Sequence, residues 1–204
     1  MSITKNSMKN LTEGLCRDHF SSTEVQCLVR HFHLLLREPT TPGGSQVGLD
    51  CGQFKWFLFK VFGMTDDTIM HEVFRTFDKD TDGIVSVREW IEGLSVCLRG
   101  SLDEKIKYCF HVYDLDSDEY ISKEEMFHML KNSLNREPED DPEDGVRDLV
   151  EIATKMMDRD HDGRLSYADF EETVKEENLL LEAFGTCLPD IEKIEAFERQ
   201  VFVD

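Results

Sequence analysis

The chain has 204 residues, 40% of them apolar and 14 of them phenylalanine, so it is long enough and apolar enough to bury a core. Its 43 acidic and 23 basic residues give a net charge of −20, which argues against binding nucleic acid or anionic lipid by general electrostatics and favours cations and basic partners. Its six cysteines are scattered without a CxxC pair, which is typical of thiols in a reducing compartment rather than of a disulfide framework or a zinc site.

The N-terminal segment is polar and does not resemble a secretory signal. Ser2 stands where N-myristoylation requires glycine, so we expect no lipid anchor. The densest apolar run, FKWFLFKVF at residues 54–62, is too short to span a bilayer and contains two lysines. We therefore expect a soluble intracellular protein without a membrane anchor.

The first predicted unit has two amphipathic helices around the segment PGGSQVGLDCGQ, residues 42–53. This segment lies one repeat length before an acidic loop, and its residues Asp50 and Gln53 have the spacing of a helix cap. Pro42, Gly44 and Gln46 occupy the positions at which that loop has acids. We expect a loop that retains its fold but has lost its metal.

Three acidic loops follow, DKDTDGIVSVRE from 78, DLDSDEYISKEE from 114 and DRDHDGRLSYAD from 158, and they begin 36 and then 44 residues apart. Each has acids at positions one, three, five and twelve, which is the pattern of an EF-hand calcium loop, with position seven contributing a backbone carbonyl. The sequence therefore predicts up to three Ca²⁺ ions. The predicted ligands are Asp78, Asp80, Asp82, Ile84, Glu89, Asp114, Asp116, Asp118, Tyr120, Glu125, Asp158, Asp160, Asp162, Arg164 and Asp169.

The three loops differ in how closely they match the EF-hand pattern. The 78–89 loop has every expected ligand, and Gly83 stands at its sharp turn. Glu119 takes that glycine's place in the 114–125 loop, where a positive φ costs a non-glycine residue about 1 kcal/mol or more. Asp169 closes the 158–169 loop with one methylene less than Glu, so we expect weak calcium binding there or occupation by Mg²⁺.

The helix cap patterns and loop spacings predict an all-α fold of four EF-hand units in two paired lobes, with short loop–loop β contacts and a C-terminal helix. Leu49 should face Val85, and Ile121 should face Leu165. The predicted domains are an N-lobe at 1–98, a C-lobe at 101–178 and a tail at 179–204. Residues 135–145, rich in acids and containing two prolines, are predicted to be a solvated linker, with a mobile element that reports metal binding as the alternative.

The tail is predicted to contain a helix that begins after Pro189 and Asp190 and has an apolar stripe, made of Ile191, Ile194, Phe197 and Val201. Such a helix either completes the core or lies in a groove and competes with a partner helix. The first lobe is rich in residues that would form an apolar partner groove. They are Trp56, Phe57, Phe59, Phe62, Phe74, Trp90 and Leu94.

No catalytic motif stands out in the sequence: it has no P-loop, no GxSxG and no HExxH. His31, His33, His161 and Cys187 are expected to be structural residues. We therefore predict a non-enzymatic calcium sensor. The alternatives are a calcineurin-B-like regulatory subunit of a phosphatase or other enzyme and a soluble calcium buffer.

Four stretches between residues 62 and 190 carry a closer resemblance, because they include residues that EF-hands in general do not share. They are FGMTDDTIMHEVFRTFDKDTDG, LRGSLDEKIKYCF, ISKEEMFHMLKNSL and LLLEAFGTCLPD. They resemble the calcium sensors of ciliary and flagellar outer-arm dynein, within the neuronal-calcium-sensor-like family. The resemblance implies an axonemal location, binding to dynein heavy chain, tubulin or docking-complex proteins as further partners, and calcium control of beating.

Overall fold

The computed structural model describes residues 19–36, 47–133 and 142–202, and these ranges contain nine α-helices. The helices are α1 Ser22–Leu35, α2 Cys51–Phe57, α3 Asp67–Phe77, α4 Val87–Arg99, α5 Leu102–Tyr113, α6 Lys123–Ser133, α7 Pro142–Met157, α8 Tyr167–Glu176 and α9 Ile191–Phe202. A π-helical turn, Leu58–Phe62, extends α2, and a 3₁₀ turn, Asn178–Glu182, follows α8. The predicted all-α fold class is confirmed. None of the described helices is long and apolar enough to cross a membrane.

Four two-residue strands join the loops in pairs: β1 Leu49–Asp50 with β2 Ile84–Val85, and β3 Tyr120–Ile121 with β4 Leu165–Ser166, both antiparallel. Leu49 pairs with Val85 and Ile121 with Leu165, so both predicted contacts are confirmed. All four of these side chains are fully buried. A Cβ atom on Gly48 would lie only 2.7 Å from the Val85 carbonyl oxygen, so this pairing leaves no room for a side chain there.

The helices that follow the acidic loops, here called exit helices, begin at capping boxes, as the sequence predicts. At α4, the Ser86 hydroxyl accepts from the N–H of Glu89, and the Glu89 carboxylate accepts from the N–H of Ser86. The same reciprocal pair occurs between Ser122 and Glu125 before α6, and between Ser166 and Asp169 before α8. Ser101 forms another such pair before α5, which does not follow an acidic loop. Residue twelve of each acidic loop is thus also the third residue of a helix, which ties loop geometry to helix geometry.

The chain divides into two compact units. One consists of the described residues of Met1–Thr65, Phe74–Gly100 and Pro189–Asp204, and the other of Asp66–Val73 and the described residues of Ser101–Leu188. The residues predicted as one tail, 179–204, are therefore divided between the two units at Pro189.

The first unit has an aromatic core. Phe54 and Phe77 pack with ring centroids 4.8 Å apart, and Phe57 meets Trp90 at 5.8 Å. Helix α9 adds Phe197, which is 2% exposed and packs edge-on against Phe57 at 6.1 Å. Helix α9 is therefore part of this core.

The second unit is closed by the first part of the tail. Phe184 is fully buried against Tyr113, whose hydroxyl donates a 2.6 Å hydrogen bond to the carbonyl of Gly185. Cys187 is also fully buried, with its sulfur 3.3 Å from that of Cys109. A buried, packed thiol fits the structural role expected for Cys187.

One expectation about a flexible segment is corrected. Residues 142–145 of the expected linker form the first turn of α7 rather than a linker, while 134–141 lie outside the described residues. The predicted tail helix is present as α9, and the residues of its apolar stripe lie at different depths: Ile191 is 75% exposed, and Ile194 and Val201 are half-buried. Phe197 is the member of the stripe that reaches the core.

Candidate metal centres

The three acidic loops share one backbone conformation. Positions four and six have positive φ in each loop, a region that favours glycine. The angles are 56° at Thr81 and 84° at Gly83, 61° at Ser117 and 70° at Glu119, and 63° at His161 and 92° at Gly163. Glu119 therefore has the strained conformation that the sequence predicted, and the 114–125 loop has no glycine at either position.

This curl turns backbone N–H groups inward, towards the carboxylate at position one. The N–H of Gly83 donates to Asp78 at 2.9 Å, and the N–H of Gly163 donates to Asp158 at 2.9 Å. The N–H of Glu119 reaches Asp114 at 3.1 Å. The first carboxylate of each loop is thereby held in place and nearly buried.

Each loop brings three carboxylates together, with one oxygen atom from each lying within 4.8 Å of the others. The three sets are Asp78, Asp80 and Glu89; Asp114, Asp116 and Asp118; and Asp158, Asp160 and Asp162. Three other predicted ligands, Asp82, Glu125 and Asp169, lie in the same loops but outside these tight sets. Of the residues predicted to contribute carbonyl ligands, Ile84 and Tyr120 begin β2 and β3, and Arg164 precedes β4.

Burial and neighbouring negative charges raise the pKa of two loop acids. Burial, and then the charges of Asp82 and Glu89, raise the pKa of Asp80. Burial raises the pKa of Asp114, with the charges of Glu125 and Asp118 adding to it. The loops thus hold negative charge at an electrostatic cost that a bound cation would relieve.

Backbone donors oppose this effect at two other positions. Burial acts to raise the pKa of Glu89, but hydrogen bonds from Ser86, Asp80 and Lys79 outweigh it and lower that pKa. Burial likewise acts to raise the pKa of Asp158, but hydrogen bonds from the N–H groups of Gly163 and His161 bring a net lowering. These carboxylates are therefore stabilised in the charged form that a cation requires.

The closing acid at position twelve reaches back to the start of its loop. Glu89 accepts from the N–H of Lys79 at 2.9 Å, and Glu125 accepts from the N–H of Leu115 at 2.7 Å. The shorter Asp169 accepts from the N–H of Arg159 at 3.2 Å. The missing methylene therefore shows as a longer reach across the 158–169 loop.

The donor set of the three loops fits a hard divalent cation. It contains clustered carboxylate oxygens, and Ca²⁺ takes six to eight oxygen ligands at about 2.3–2.6 Å. In the part of the first predicted loop that the structure describes, residues 47–53, there is no such set: Asp50 and Gln53 are hydrogen-bonded to each other's backbone as a helix cap. Its expected ligand positions Pro42, Gly44 and Gln46 lie outside the described residues.

Most of the residues predicted to form a partner groove are buried within the first unit. Phe57, Phe62, Phe74, Trp90 and Leu94 are buried. Trp56 and Phe59 are 39% and 55% exposed. Phe197 of α9 packs on Phe62 with ring centroids 5.6 Å apart, as it does on Phe57, so the tail helix covers part of the predicted groove.

The role of Arg99, which lies between the two predicted lobes, is not indicated by the sequence. Its guanidinium bonds Glu24 at 2.6 Å and Glu198 at 2.7 Å. It also lies over the rings of Phe20 and Phe202, 4.9 and 5.4 Å from their centroids. The partners are far apart in the chain, so no local pattern could have indicated this cluster.

Comparison with known proteins agrees with this geometry. Residues 103–175 match the family described as an EF-hand domain pair, and residues 69–95 match the EF hand family. The chain is 58% identical to Calaxin of Xenopus laevis over 205 aligned positions, covering 99% of this chain and 98% of that protein. It is 57% identical to Calaxin of Danio rerio, covering 98% and 96%, and 56% identical to Calaxin of Homo sapiens, covering 99% and 97%.

Proposed function

The chain belongs to the calaxin family of EF-hand proteins, and on this premise we propose that it is a calcium sensor that regulates outer-arm dynein in cilia and flagella. The observation that carries the proposal is the three preformed carboxylate sets of the acidic loops, each with its first acid held by backbone donors. An EF-hand protein with such loops is a calcium-binding protein.

The ligands in this proposal are the acids at positions one, three, five and twelve of each loop, with the carbonyl oxygen at position seven. Up to three Ca²⁺ ions bind, one in each acidic loop. The 158–169 loop, closed by the shorter Asp169, is the weakest for Ca²⁺ and the one that accepts Mg²⁺.

Sensing requires a response beyond binding. Each closing acid is also the N3 residue of an exit helix, so drawing that acid inward changes the position of the helix. Phe197 of α9 covers Phe57 and Phe62, so a shift of α4 in the same unit loosens α9 and presents an apolar groove. Calcium changes partner affinity only by its differential binding to the two states.

The partner and the location are proposed from the family resemblance of the four stretches between residues 62 and 190. The partner is the outer-arm dynein heavy chain, with tubulin or docking-complex proteins as further contacts, and the location is the axoneme. The chain acts there as a non-enzymatic regulatory subunit of the motor and controls beating.

A pull-down from ciliary extract tests this proposal, with the full chain as bait and free calcium set by a chelator buffer. Dynein heavy chain should be retained, in an amount that changes with calcium. The matched bait has Asp78→Asn, Asp114→Asn and Asp158→Asn, which removes one charge from each loop, and it should lose the calcium dependence. Absence of dynein heavy chain from both baits at every calcium level would contradict the proposal.

A further inference from the structure

Arg164 makes two hydrogen bonds to one of the clustered carboxylates. Its Nε donates to Oδ2 of Asp162 at 3.2 Å, and its backbone N–H donates to Oδ1 of the same residue at 3.0 Å. Asp162 is position five of the 158–169 loop and belongs to the carboxylate set of that loop. Both oxygens of this acid are therefore engaged by Arg164.

A contact with the neighbouring loop holds the guanidinium in this place. The Cζ atom of Arg164 lies 3.5 Å from the ring centroid of Tyr120, which is position seven of the 114–125 loop. Tyr120 also pairs with Ser166 in the β3–β4 register, so its backbone is held against the 158–169 loop. A guanidinium stacked on an aromatic ring is attracted by it and is less free to turn into solvent.

The guanidinium of an arginine stays protonated in proteins. The side chain of Arg164 is therefore a permanent positive charge beside Asp162.

The other two acidic loops have a different residue at position seven. Asp82 accepts the backbone N–H of Ile84 at 2.9 Å, and Asp118 accepts the backbone N–H of Tyr120 at 2.9 Å. Neither isoleucine nor tyrosine has a cationic group. The extra hydrogen bond to Asp162 therefore comes from the residue type at 164 and not from the loop conformation.

We propose that Arg164 is an affinity-setting residue, an internal cation that competes with a divalent ion for Asp162 and weakens cation binding by the 158–169 loop. The proposal rests on the proposed function, because it takes this loop as a calcium site. A divalent ion needs an oxygen of Asp162, so the ion pair with Arg164 has to loosen, and the guanidinium charge repels the ion. An exposed ion pair or cation–π contact has a strength that corresponds to a roughly two- to fivefold change in affinity.

A calcium titration of the full chain by ¹H–¹⁵N NMR tests this at one loop at a time. The amides of Gly163 and Gly83 donate to the first acids of their own loops, so each reports occupancy of its own site. Arg164→Gln removes the competing charge. Arg159→Gln is the matched control, because it removes the same charge from the same loop but from a side chain that pairs with Glu176.

The expected result is that Gly163 in Arg164→Gln responds at about two- to fivefold lower free calcium, while the response of Gly83 stays unchanged. Arg159→Gln should shift Gly163 much less, and Arg164→Lys, which keeps the charge but loses the planar stack, should lie between wild type and Arg164→Gln. Equal shifts in Arg164→Gln and Arg159→Gln, or no shift in either, would overturn the role of Arg164 and leave the calcium site intact. A Gly163 amide that does not respond to calcium in any variant would instead overturn the site assignment itself.

Discussion

The Nε atom of Arg99 lies 2.7 Å from a carboxylate oxygen of Glu198, and this ion pair joins the end of α4 to α9 within the first unit. The same guanidinium bonds Glu24 of α1 at 2.6 Å and lies against the rings of Phe20 and Phe202. Three helices therefore meet at one side chain. Helix α9 is held on its unit by this cluster as well as by the burial of Phe197.

Replacing Arg99 by Gln should destabilise the protein, since two partly buried carboxylates lose the cation between them. We expect a loss of roughly 1–3 kcal/mol in the free energy of unfolding, measured by urea denaturation with a chelator present. Arg99→Lys keeps the charge but not the planar fork, so its stability should be intermediate. An Arg99→Gln protein as stable as the wild type would show that the cluster contributes nothing.

The same cluster predicts a pH dependence. The hydrogen bond from Arg99 is the main cause that lowers the pKa of Glu24 from 4.5 to about 2. A lowered pKa means that the folded state favours the charged form, so this stabilisation is complete above pH 4.5 and is lost as the pH falls towards 2.

Urea unfolding of Glu24→Gln and wild type, each from neutral pH down to about pH 3, measures this loss. Glutamine can still accept the N–H of Ser21, so the change isolates the charge. The stability advantage of the wild type should shrink as the pH falls. The exposed Glu124→Gln is the control, and its difference from wild type should stay nearly constant. A pH-independent difference for Glu24→Gln would contradict the prediction.

The acidic loops were predictable from sequence because their constraints are local. Residue twelve both faces the cluster and caps the following helix, so one spacing specifies loop and helix together, as Ser86 and Glu89 show. The register of Leu49 with Val85 follows from the same repeat. The positive φ of Glu119 follows from its place in the loop and not from any distant contact.

The tail and the Arg99 cluster were not predictable in the same way, because they depend on contacts between distant segments. The stripe on α9 indicated an apolar face but not how deep each residue would lie, and Ile191 is exposed while Phe197 is buried. The sequence predicts only that Arg164 contributes its backbone carbonyl as a ligand, since the position of its side chain depends on Tyr120 of another loop. A repeat pattern does not indicate which partners a long polar side chain contacts.

Glu119→Gly should stabilise the 114–125 loop. Glu119 has a φ of 70°, which is unfavourable for a residue with a Cβ atom. At the equivalent positions Gly83 and Gly163, a Cβ atom would have no neighbour within 4 Å, so the strain is torsional and not a clash. We expect about 1 kcal/mol of added stability and tighter calcium binding by this loop, measured by thermal unfolding and calorimetry. Ser117→Gly, which relieves the position-four angle of 61°, is a matched comparison. Weaker calcium binding in Glu119→Gly would contradict the strain argument.

Asp169→Glu should tighten calcium binding by the 158–169 loop. The carboxylates of Glu89 and Glu125 lie 2.9 and 2.7 Å from the backbone nitrogen of the second residue of their loops, whereas that of Asp169 lies 3.2 Å away. The added methylene should close this difference. Calorimetry should show higher affinity for Ca²⁺ and a larger preference for Ca²⁺ over Mg²⁺. Asp169→Asn, which removes the charge at the same length, should bind Ca²⁺ more weakly than wild type. No gain in calcium affinity for Asp169→Glu would refute the chain-length explanation.

Hydrogen exchange of the full chain, with a chelator and then with saturating calcium, tests most directly whether this protein is a sensor. Amides of the loops 78–89, 114–125 and 158–169 should gain protection when calcium is added, because the ion orders the carboxylates that their N–H groups contact. Amides of α9, residues 191–202, should lose protection as Phe197 leaves Phe57 and Phe62. If the loops gain protection while α9 keeps the same exchange rates, calcium binding does not reach the tail, and the protein behaves as a buffer rather than a sensor.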